Sequence, residues 1–307
     1  MTDTTKEAVT VVLATRGRPL LLRAAVRAVL AQTHPGPIEV IVVFDGIEID
    51  PLGDVQATGN RTLRTVPNTR SSGLAGGRNT GISLASHDLV AFCDDDDEWM
   101  PEKLQKQLAL RATVSPASIV STGIRIRTAA GSHDRLAPAV VRHEDFLESR
   151  ITEVHPSTFL LSRTALLHHI GLVDEDLPAG YGEDYDLLLR ASEVAPVVSV
   201  QEPLTIVNWN RTSFFADRWQ GIADGLGYVL RKFPAFARSP RGTARIEGQI
   251  AFAHAALGNR GAAIRWAVSA MRHDLRQARA YLAFLIAMRA LPAAGVVNFL
   301  NNRGRGM

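Results

Sequence analysis

Residues Leu89–Trp99 read LVAFCDDDDEW, an apolar run that ends abruptly in five consecutive acidic side chains. The apolar part, Leu89–Phe92, predicts a short buried strand, so the acids would emerge at its carboxyl end. Adjacent carboxylates repel one another, and that cost is small only if the segment is solvated or binds a cation. Open α/β sheets bind ligands at the carboxyl ends of their strands, which favours a cation such as magnesium or manganese. The alternative is an acidic loop that caps a helix beginning near Pro101.

The residues around this stretch predict alternating strands and helices. In chain order the predicted elements are a strand at Val9–Ala14, a helix at Leu20–Gln32, strands at Ile38–Phe44 and Leu63–Val66, and a helix at Ser71–Leu84. Consecutive β-α-β units imply parallel strands with right-handed crossovers. The first hundred residues therefore predict a doubly wound, mostly parallel α/β sheet flanked by helices. Its rim would carry Thr15, Asp45 and the four aspartates Asp94 to Asp97.

Composition and missing motifs exclude several classes of protein. With 46% hydrophobic and 21% charged residues the chain has ordinary globular composition, and its one cysteine, Cys93, excludes internal disulfides and multi-cysteine zinc sites. The first predicted strand runs into TRGRP and not into G-x-G-x-x-G, and no Walker A motif occurs, so neither a dinucleotide fold nor a P-loop hydrolase is predicted. No apolar run of membrane-spanning length and no signal peptide is recognisable, so the expected location is the cytoplasm.

The C-terminal quarter differs from the rest in charge. Residues 232–307 contain 12 Lys and Arg against 2 acids, whereas residues 1–231 contain 22 against 29. A helix is predicted at Phe214–Phe233, and three Ala- and Arg-rich helical segments follow at Arg241–Leu257, Arg260–Arg272 and Arg276–Ala290. We therefore expect one domain at 1–231 and a basic, smaller all-α region at 232–307. That region could present a solvated basic face, pair in a homodimer, or contact the inner face of a membrane peripherally; no nucleic-acid partner is predicted.

A second acidic cluster lies at Glu183-Asp184, before a helical pattern at Leu187–Arg190. Acids at a helix start commonly compensate the helix dipole, and that alternative stands for this pair taken alone. The later segments Pro156–Leu161, Val197–Val200 and Leu204–Trp209 predict strands that complete a mixed sheet. A metal-type cluster together with a separate carboxylate that can act as a base indicates transfer of a group from a metal-bound diphosphate to a nucleophile.

Five motifs in fixed order resemble the inverting family 2 glycosyltransferases with the GT-A fold. They are VVLATRGRP, VVFDG, GLAGGRNTG, AFCDDDDEWMPEKL and GEDYDLLLR, and the likeness covers about residues 8 to 215. The resemblance implies a GT-A sheet domain that binds a nucleoside-diphosphate-sugar, with a UDP-sugar favoured, and transfers the sugar to an acceptor hydroxyl. It also implies a divalent cation, manganese or magnesium.

The resemblance assigns roles to particular residues. For the donor it implies Thr15, Arg16 and Asp45 at the nucleotide base and ribose, Arg78 at the diphosphate or sugar, and Asp94 at the ribose or sugar. Asp95, the middle residue of the D-x-D motif, is a further donor-binding candidate. The resemblance implies Asp96 as the metal ligand and Asp184 as the general base. We assign His155 and Glu183 to the acceptor side, with a structural histidine as the alternative for His155. Two departures are visible: FDGIEID replaces the usual D-D-x-S-x-D pattern, and no His follows the last strand, where Arg211 would neutralise the diphosphate instead.

Two other functions remain open from the sequence. VVLATRGRP faintly resembles the N-terminal signature of sugar nucleotidyltransferases, although that function leaves Glu183-Asp184 without a role. A non-catalytic nucleotide-sugar-binding or scaffold protein, with the helical region as its interaction part, is the alternative from another class.

Overall fold

The structure is a computed structural model that describes residues 6–129, 131–209, 218–292 and 295–296. The chain divides into two compact units. The first comprises Met1–Phe146, Ile151–Glu175 and Glu183–Arg211, and the second comprises Leu147–Arg150, Asp176–Gly182 and Thr212–Met307.

The first unit is built on one mixed sheet. Its strands are β1 (Val9–Thr15), β2 (Ile38–Phe44), β3 (Arg61–Pro67), β4 (Leu89–Phe92), β5 (Glu98–Trp99), β6 (Val120–Thr128), β7 (Gly131–Arg135), β8 (Val140–Val141), β9 (Leu160–Ser162) and β10 (Val197–Asn208). The order is β3-β2-β1-β4-β9-β6-β10-β5, with β7 paired to β6 and β8 to β10. The pairs within β3-β2-β1-β4 and the pair β6-β10 are parallel, whereas β9, β5, β7 and β8 pair antiparallel. The predicted fold class, a mostly parallel mixed sheet flanked by helices, is confirmed.

Burial explains why the central strands were easy to recognise. Every residue of β1 and β2 is buried, as expected of parallel strands covered on both faces. The helices of this unit are α1 (Pro19–Leu30), α2 (Leu74–Leu84), α3 (Lys103–Arg111), α4 (His143–Glu148), α5 (Arg163–Ala165) and α6 (Glu183–Val194). The buried side of α1, which includes Leu22, Val26 and Val29, joins the strand residues in one apolar core.

Two strand predictions were wrong in detail. The segment predicted as a strand at Pro156–Leu161 begins as a 3-10 turn at Pro156–Thr158, and only then forms β9. Pro156 has no N–H to offer a ladder, and the His155 side chain accepts from the Ser157 N–H, which stabilises the turn. The two strands predicted between Val197 and Trp209 are one strand, β10, whose register shifts near Pro203.

The second unit consists of helices. They are α7 (Trp219–Lys232), α8 (Pro240–Ala256), α9 (Arg260–His273) and α10 (Ala278–Ala287). Alanines dominate the core that α8, α9 and α10 share, among them Ala255, Ala263, Ala267 and Ala283. Because these side chains are small, the helices pack at close range. The predicted helical C-terminal region is confirmed; the boundary at 231/232 stays a prediction, and α7 groups with the second unit.

Among the described residues, no helix combines the length and the apolar character that crossing a bilayer requires.

Candidate active site

Helix α2 brings an arginine to the carboxyl edge of the sheet because two glycines let it lie directly on β1. A Cβ atom at Gly81 would stand 2.2 Å from Val12 Cγ1, and one at Gly77 would stand 2.8 Å from Ala14 Cβ. Neither contact leaves room for a methyl group. The close approach buries Arg78, which is only 4% exposed, beside the end of β4.

Arg78 joins the two acidic clusters. Its Nη2 donates to Asp94 Oδ1 at 2.8 Å and its Nη1 donates to Glu183 Oε1 at 2.9 Å. Burial alone would lower the pKa of Arg78, but the charges of Asp94, Glu183 and Asp184 outweigh it and raise that pKa above its ordinary value. Arg78 therefore remains a fixed cation between the strand-end acids and the start of α6.

Asp184 follows Glu183 in the first turn of α6 and is 8% exposed. Its negative charge acts on Arg78 and also on His155. Burial lowers the pKa of His155, and although Asp94 and Asp184 oppose this, the pKa stays below its ordinary value. The imidazole is therefore neutral at pH 7. The charge of Asp184, the predicted base, thus acts on two other predicted site residues, the donor-binding Arg78 and the acceptor-side His155.

The four aspartates after β4 have different partners. Asp95 accepts from Thr15 Oγ1 at 2.6 Å, and its Oδ1 lies 3.2 Å from Arg18 Nη1. The Asp96 carboxylate also accepts from Arg18. Asp97 accepts from Ser157 Oγ at 2.6 Å. Burial raises the pKa of Asp95, of Asp96 and, most of all, of Asp97, where the charge of Asp94 adds to it.

Three residues of this region could hold a divalent cation. Asp94, Asp97 and His155 each offer a ligand atom, and these atoms lie within 4.8 Å of one another. The two carboxylates are ligands that manganese and magnesium both accept, and the neutral imidazole favours a transition metal such as manganese over magnesium, so the residues fit such a cation. Ser157 fixes the arrangement, because it accepts from the Asp94 N–H at 3.0 Å while it donates to Asp97. Metal ligation by Asp96 stays a prediction, since its carboxylate lies against Arg18.

Asp45 anchors the loop that leads into α2. It accepts from Asn68 Nδ2 at 2.8 Å and from the Gly73 N–H at 2.9 Å. Arg16 Nη2 lies 3.4 Å from the same carboxylate, and the Arg16 side chain is 52% exposed. The predicted nucleotide-contacting residues Thr15, Arg16 and Asp45 are thus together on the rim of the sheet.

Glu175 extends this network and was not recognised in the sequence. It accepts from Ser71 Oγ at 2.6 Å and from Asn79 Nδ2 at 2.7 Å. Burial alone would raise the pKa of Glu175, but these donors and Arg70 hold it at about 2. No local pattern marks Glu175, because its partners are distant in the chain. Arg18 and Ser157 were also missed as partners of the aspartates, and Arg211 lies outside the described residues.

An open groove of about 420 Å³ lies on the sheet beside the acidic stretch. Its lining residues are Arg125, Arg127, Ser132, His133, Asp134 and Ile206. Arg127 links the groove to the acidic stretch, because its Nη1 donates to Oε1 of Glu98 at 2.7 Å. Glu98 is the residue that follows Asp97 in the chain. The groove therefore offers polar hydrogen-bonding groups beside Glu98.

Comparison with known proteins identifies relatives and structural neighbours. Amylovoran biosynthesis glycosyltransferase AmsB of Erwinia amylovora is 27% identical over 207 residues, which cover 58% of this chain and 64% of that protein. Three further curated relatives are matched over 27%, 35% and 42% of their lengths.

Solved structures share the fold at low identity. S. aureus TarS in complex with UDP-GlcNAc superposes with a TM-score of 0.59 at 16% identity, covering 92% of this chain and 89% of that one. The mannosyltransferase PcManGT of Pyrobaculum calidifontis, in complex with GDP-Man and Mn²⁺, gives a TM-score of 0.54 at 18% identity, covering 96% and 88%.

The family profile described as Glycosyl transferase family 2 matches residues 10–168, a span that begins in β1 and ends beyond the Asp94, Asp97 and His155 group. This span includes more than half of the chain. The strand-end acids, the glycines of α2 and most strands of the mixed sheet lie in the matched region, and the chain belongs to glycosyl transferase family 2.

Proposed function

We propose that this chain transfers a sugar from a nucleoside-diphosphate-sugar, a UDP-sugar in the first instance, to an acceptor hydroxyl with inversion at the anomeric carbon. The observation that carries the proposal is the contact of Arg78 with both Asp94 and Glu183. It joins the acids at the end of β4 to the start of α6, where the proposed base Asp184 lies. The buried Arg78 therefore links Asp94, a proposed donor-binding residue, to Glu183, the residue beside the proposed base.

Asp184 would accept the proton of the acceptor hydroxyl as the hydroxyl attacks the anomeric carbon. Attack from the face opposite the leaving nucleoside diphosphate inverts the configuration. Glu183 beside it keeps Arg78 in place, and Arg78 in turn keeps Asp94 oriented toward the donor. Thr15, Arg16 and Asp45 would hold the nucleotide at the rim of the sheet.

Asp94, Asp97 and His155 would hold manganese or magnesium, with Asp96 as a further ligand if it leaves Arg18. A bound divalent cation neutralises charge on a diphosphate leaving group. The chain's own residues prepare the site for it: Ser157 fixes Asp97, and Thr15 fixes Asp95. The neutral state of His155 leaves its imidazole able to act as a ligand.

The acceptor would approach along the groove between β6 and β7. Ser132 lies on its wall and is exposed, so Ser132→Trp would fill the groove without entering the core. With a saccharide acceptor chosen by screening, this variant should raise the acceptor KM and leave hydrolysis of the donor unchanged. Unchanged KM would remove the groove from the acceptor path.

The main experiment incubates the purified chain with UDP-glucose, UDP-N-acetylglucosamine or GDP-mannose, with and without manganese. Release of nucleoside diphosphate that requires manganese supports the proposal, and NMR of the product's anomeric proton reports inversion or retention. Release of pyrophosphate in an exchange assay would favour a sugar nucleotidyltransferase. Tight nucleotide-sugar binding without any turnover would favour a non-catalytic binding protein.

A further inference from the structure

Helix α10 and the turn before it carry an exposed apolar surface, here called the α10 stripe: Leu275, Tyr281, Leu285 and Met288. Their exposed fractions are 73%, 42%, 39% and 52%. Three of them stand at positions i, i+4 and i+7, so they share one face of the helix. The Tyr281 hydroxyl donates to the Leu275 carbonyl at 2.8 Å, which joins the turn to the helix.

The opposite face of α10 is already occupied. Ala280, Ala283 and Ala287 are buried in the core that α10 shares with α8 and α9. The helix is therefore apolar on both sides, and only one side is covered within the described part of the chain. An exposed apolar face of this kind marks a contact surface more often than an isolated exposed side chain does.

Two arginines flank the stripe. Arg276 directly follows Leu275 and Arg289 directly follows Met288, and both side chains are exposed. Neither arginine has an ion pair with a described residue. Of the two acids of residues 232–307, Glu247 accepts from Ser269 Oγ at 2.8 Å, and Asp274, which directly precedes Leu275, accepts from the Arg276 N–H at 2.9 Å.

We propose that the α10 stripe docks on the surface of an anionic lipid bilayer, with α10 lying in the plane of the headgroups. Such a surface matches the stripe in two ways. Its apolar layer can bury Leu275, Leu285 and Met288, and its negative charge attracts Arg276 and Arg289. Tyr281 fits this environment, because its ring is apolar and its hydroxyl polar. A second copy of the chain would place two basic surfaces against each other, which opposes a dimer through this face.

The test measures co-sedimentation of the full chain with vesicles of phosphatidylcholine alone and of equal parts phosphatidylcholine and phosphatidylglycerol. We expect binding to the mixed vesicles that falls as salt is raised. Arg276→Gln and Arg289→Gln should each lower the partition constant about fivefold. Leu275→Gln with Met288→Gln should lower it roughly tenfold or more, because their apolar surface no longer enters the bilayer.

The matched control is Leu20→Gln on α1, where the leucine is 82% exposed but lies in the other unit. It should bind vesicles as the unchanged chain does. No binding to the mixed vesicles, or equal loss with Leu20→Gln, would overturn the proposal. Self-association in sedimentation velocity that Leu275→Gln and Met288→Gln abolish, without vesicle binding, would overturn it in favour of a dimer. Vesicle binding needs neither donor nor acceptor, so this outcome is independent of the proposed catalysis.

Discussion

At the scale of single residues, Asp184 and Arg78 carry the proposal, and they do so in different ways. Asp184 is proposed to exchange a proton, whereas Arg78 holds two carboxylates in position by charge. The two roles predict different losses on substitution, one kinetic and one thermodynamic.

Asp184→Asn should lower turnover by about 10²–10⁴, because the amide cannot accept the hydroxyl proton, and should leave the nucleotide Kd nearly unchanged. Steady-state release of nucleoside diphosphate and calorimetry with the nucleotide measure the two quantities. Asp145→Asn is a matched control, since Asp145 also stands in the first turn of a helix but is exposed. Full turnover in Asp184→Asn would remove this residue from the chemistry.

Arg78→Met should lower the free energy of unfolding by about 3–5 kcal/mol at pH 7, because it removes the buried cation that pairs with the buried Glu183 and the half-buried Asp94. Denaturant unfolding at pH 7 measures this loss. Arg27→Met is the control, because Arg27 pairs with Asp54 at the surface and such pairs are worth about 1 kcal/mol or less.

The roles of the four aspartates show where prediction from sequence reached its limit. The stretch itself, its place at the end of β4 and its functional combination with Glu183-Asp184 could be predicted from spacing and family motifs. Which aspartate faces which partner could not, because Thr15, Arg18 and Ser157 come from distant parts of the chain. Asp97 received no metal role from the sequence, yet the structure groups it with Asp94 and His155.

At the scale of elements, the position of α2 depends on its glycines. Gly81→Ala should lower the free energy of unfolding by about 1–3 kcal/mol, since the added methyl would meet the buried Val12 side chain. Gly53→Ala is the control, because nothing lies within 4 Å of its Cβ position, and it should change stability by about 0.5 kcal/mol or less. Equal effects of the two substitutions in chemical denaturation would contradict the close packing of α2 on β1.

Helix α3 contains a lysine that should titrate near neutrality. Burial lowers the pKa of Lys103 to about 7, and its Nζ donates to Gln107 Oε1 at 2.8 Å. Between this value and the ordinary pKa the unfolded chain binds a proton that the folded chain does not, so stability should rise with pH from about 7 to about 10. The slope should be about 1.4 kcal/mol per pH unit, and Lys103→Met should abolish that part of it. A pH profile of unfolding free energy that is the same in both chains would refute this.

The elements also differ in how far the sequence could define them. Strands β1 and β2 were predicted within one residue, because continuous apolar runs between turn residues leave little choice. The turn at Pro156–Thr158 was not predicted. It is stabilised by side-chain contacts such as the Thr158 hydroxyl donating to the His155 carbonyl at 2.6 Å, and a pattern of apolar residues carries no information on such contacts. The two-residue strand β5 exists only because it pairs with β10, a partner far along the chain.

At the scale of the whole molecule, the nucleotide and the cation should stabilise the fold together. A nucleoside diphosphate at about 100 times its Kd adds about 2.7 kcal/mol to stability, which corresponds to a Tm increase on the order of 5 °C. We expect UDP with manganese to reach this range, and UDP alone to fall well short of it, because Asp94 and Asp97 repel a bare diphosphate. Differential scanning fluorimetry measures both, and calcium or no metal performing as well as manganese would argue against the proposed cation.

The one cysteine of the chain has a practical consequence. Cys93 is 1% exposed, and burial together with the neighbouring aspartates raises the pKa of its thiol well above the ordinary value. The thiolate that reacts with maleimides is therefore scarce and shielded in the folded chain. A cysteine placed by substitution on the surface, for example Leu275→Cys, can be labelled with a polarity-sensitive fluorophore without first removing the native one. The emission of that single dye then reports whether its part of the surface leaves water when vesicles are added.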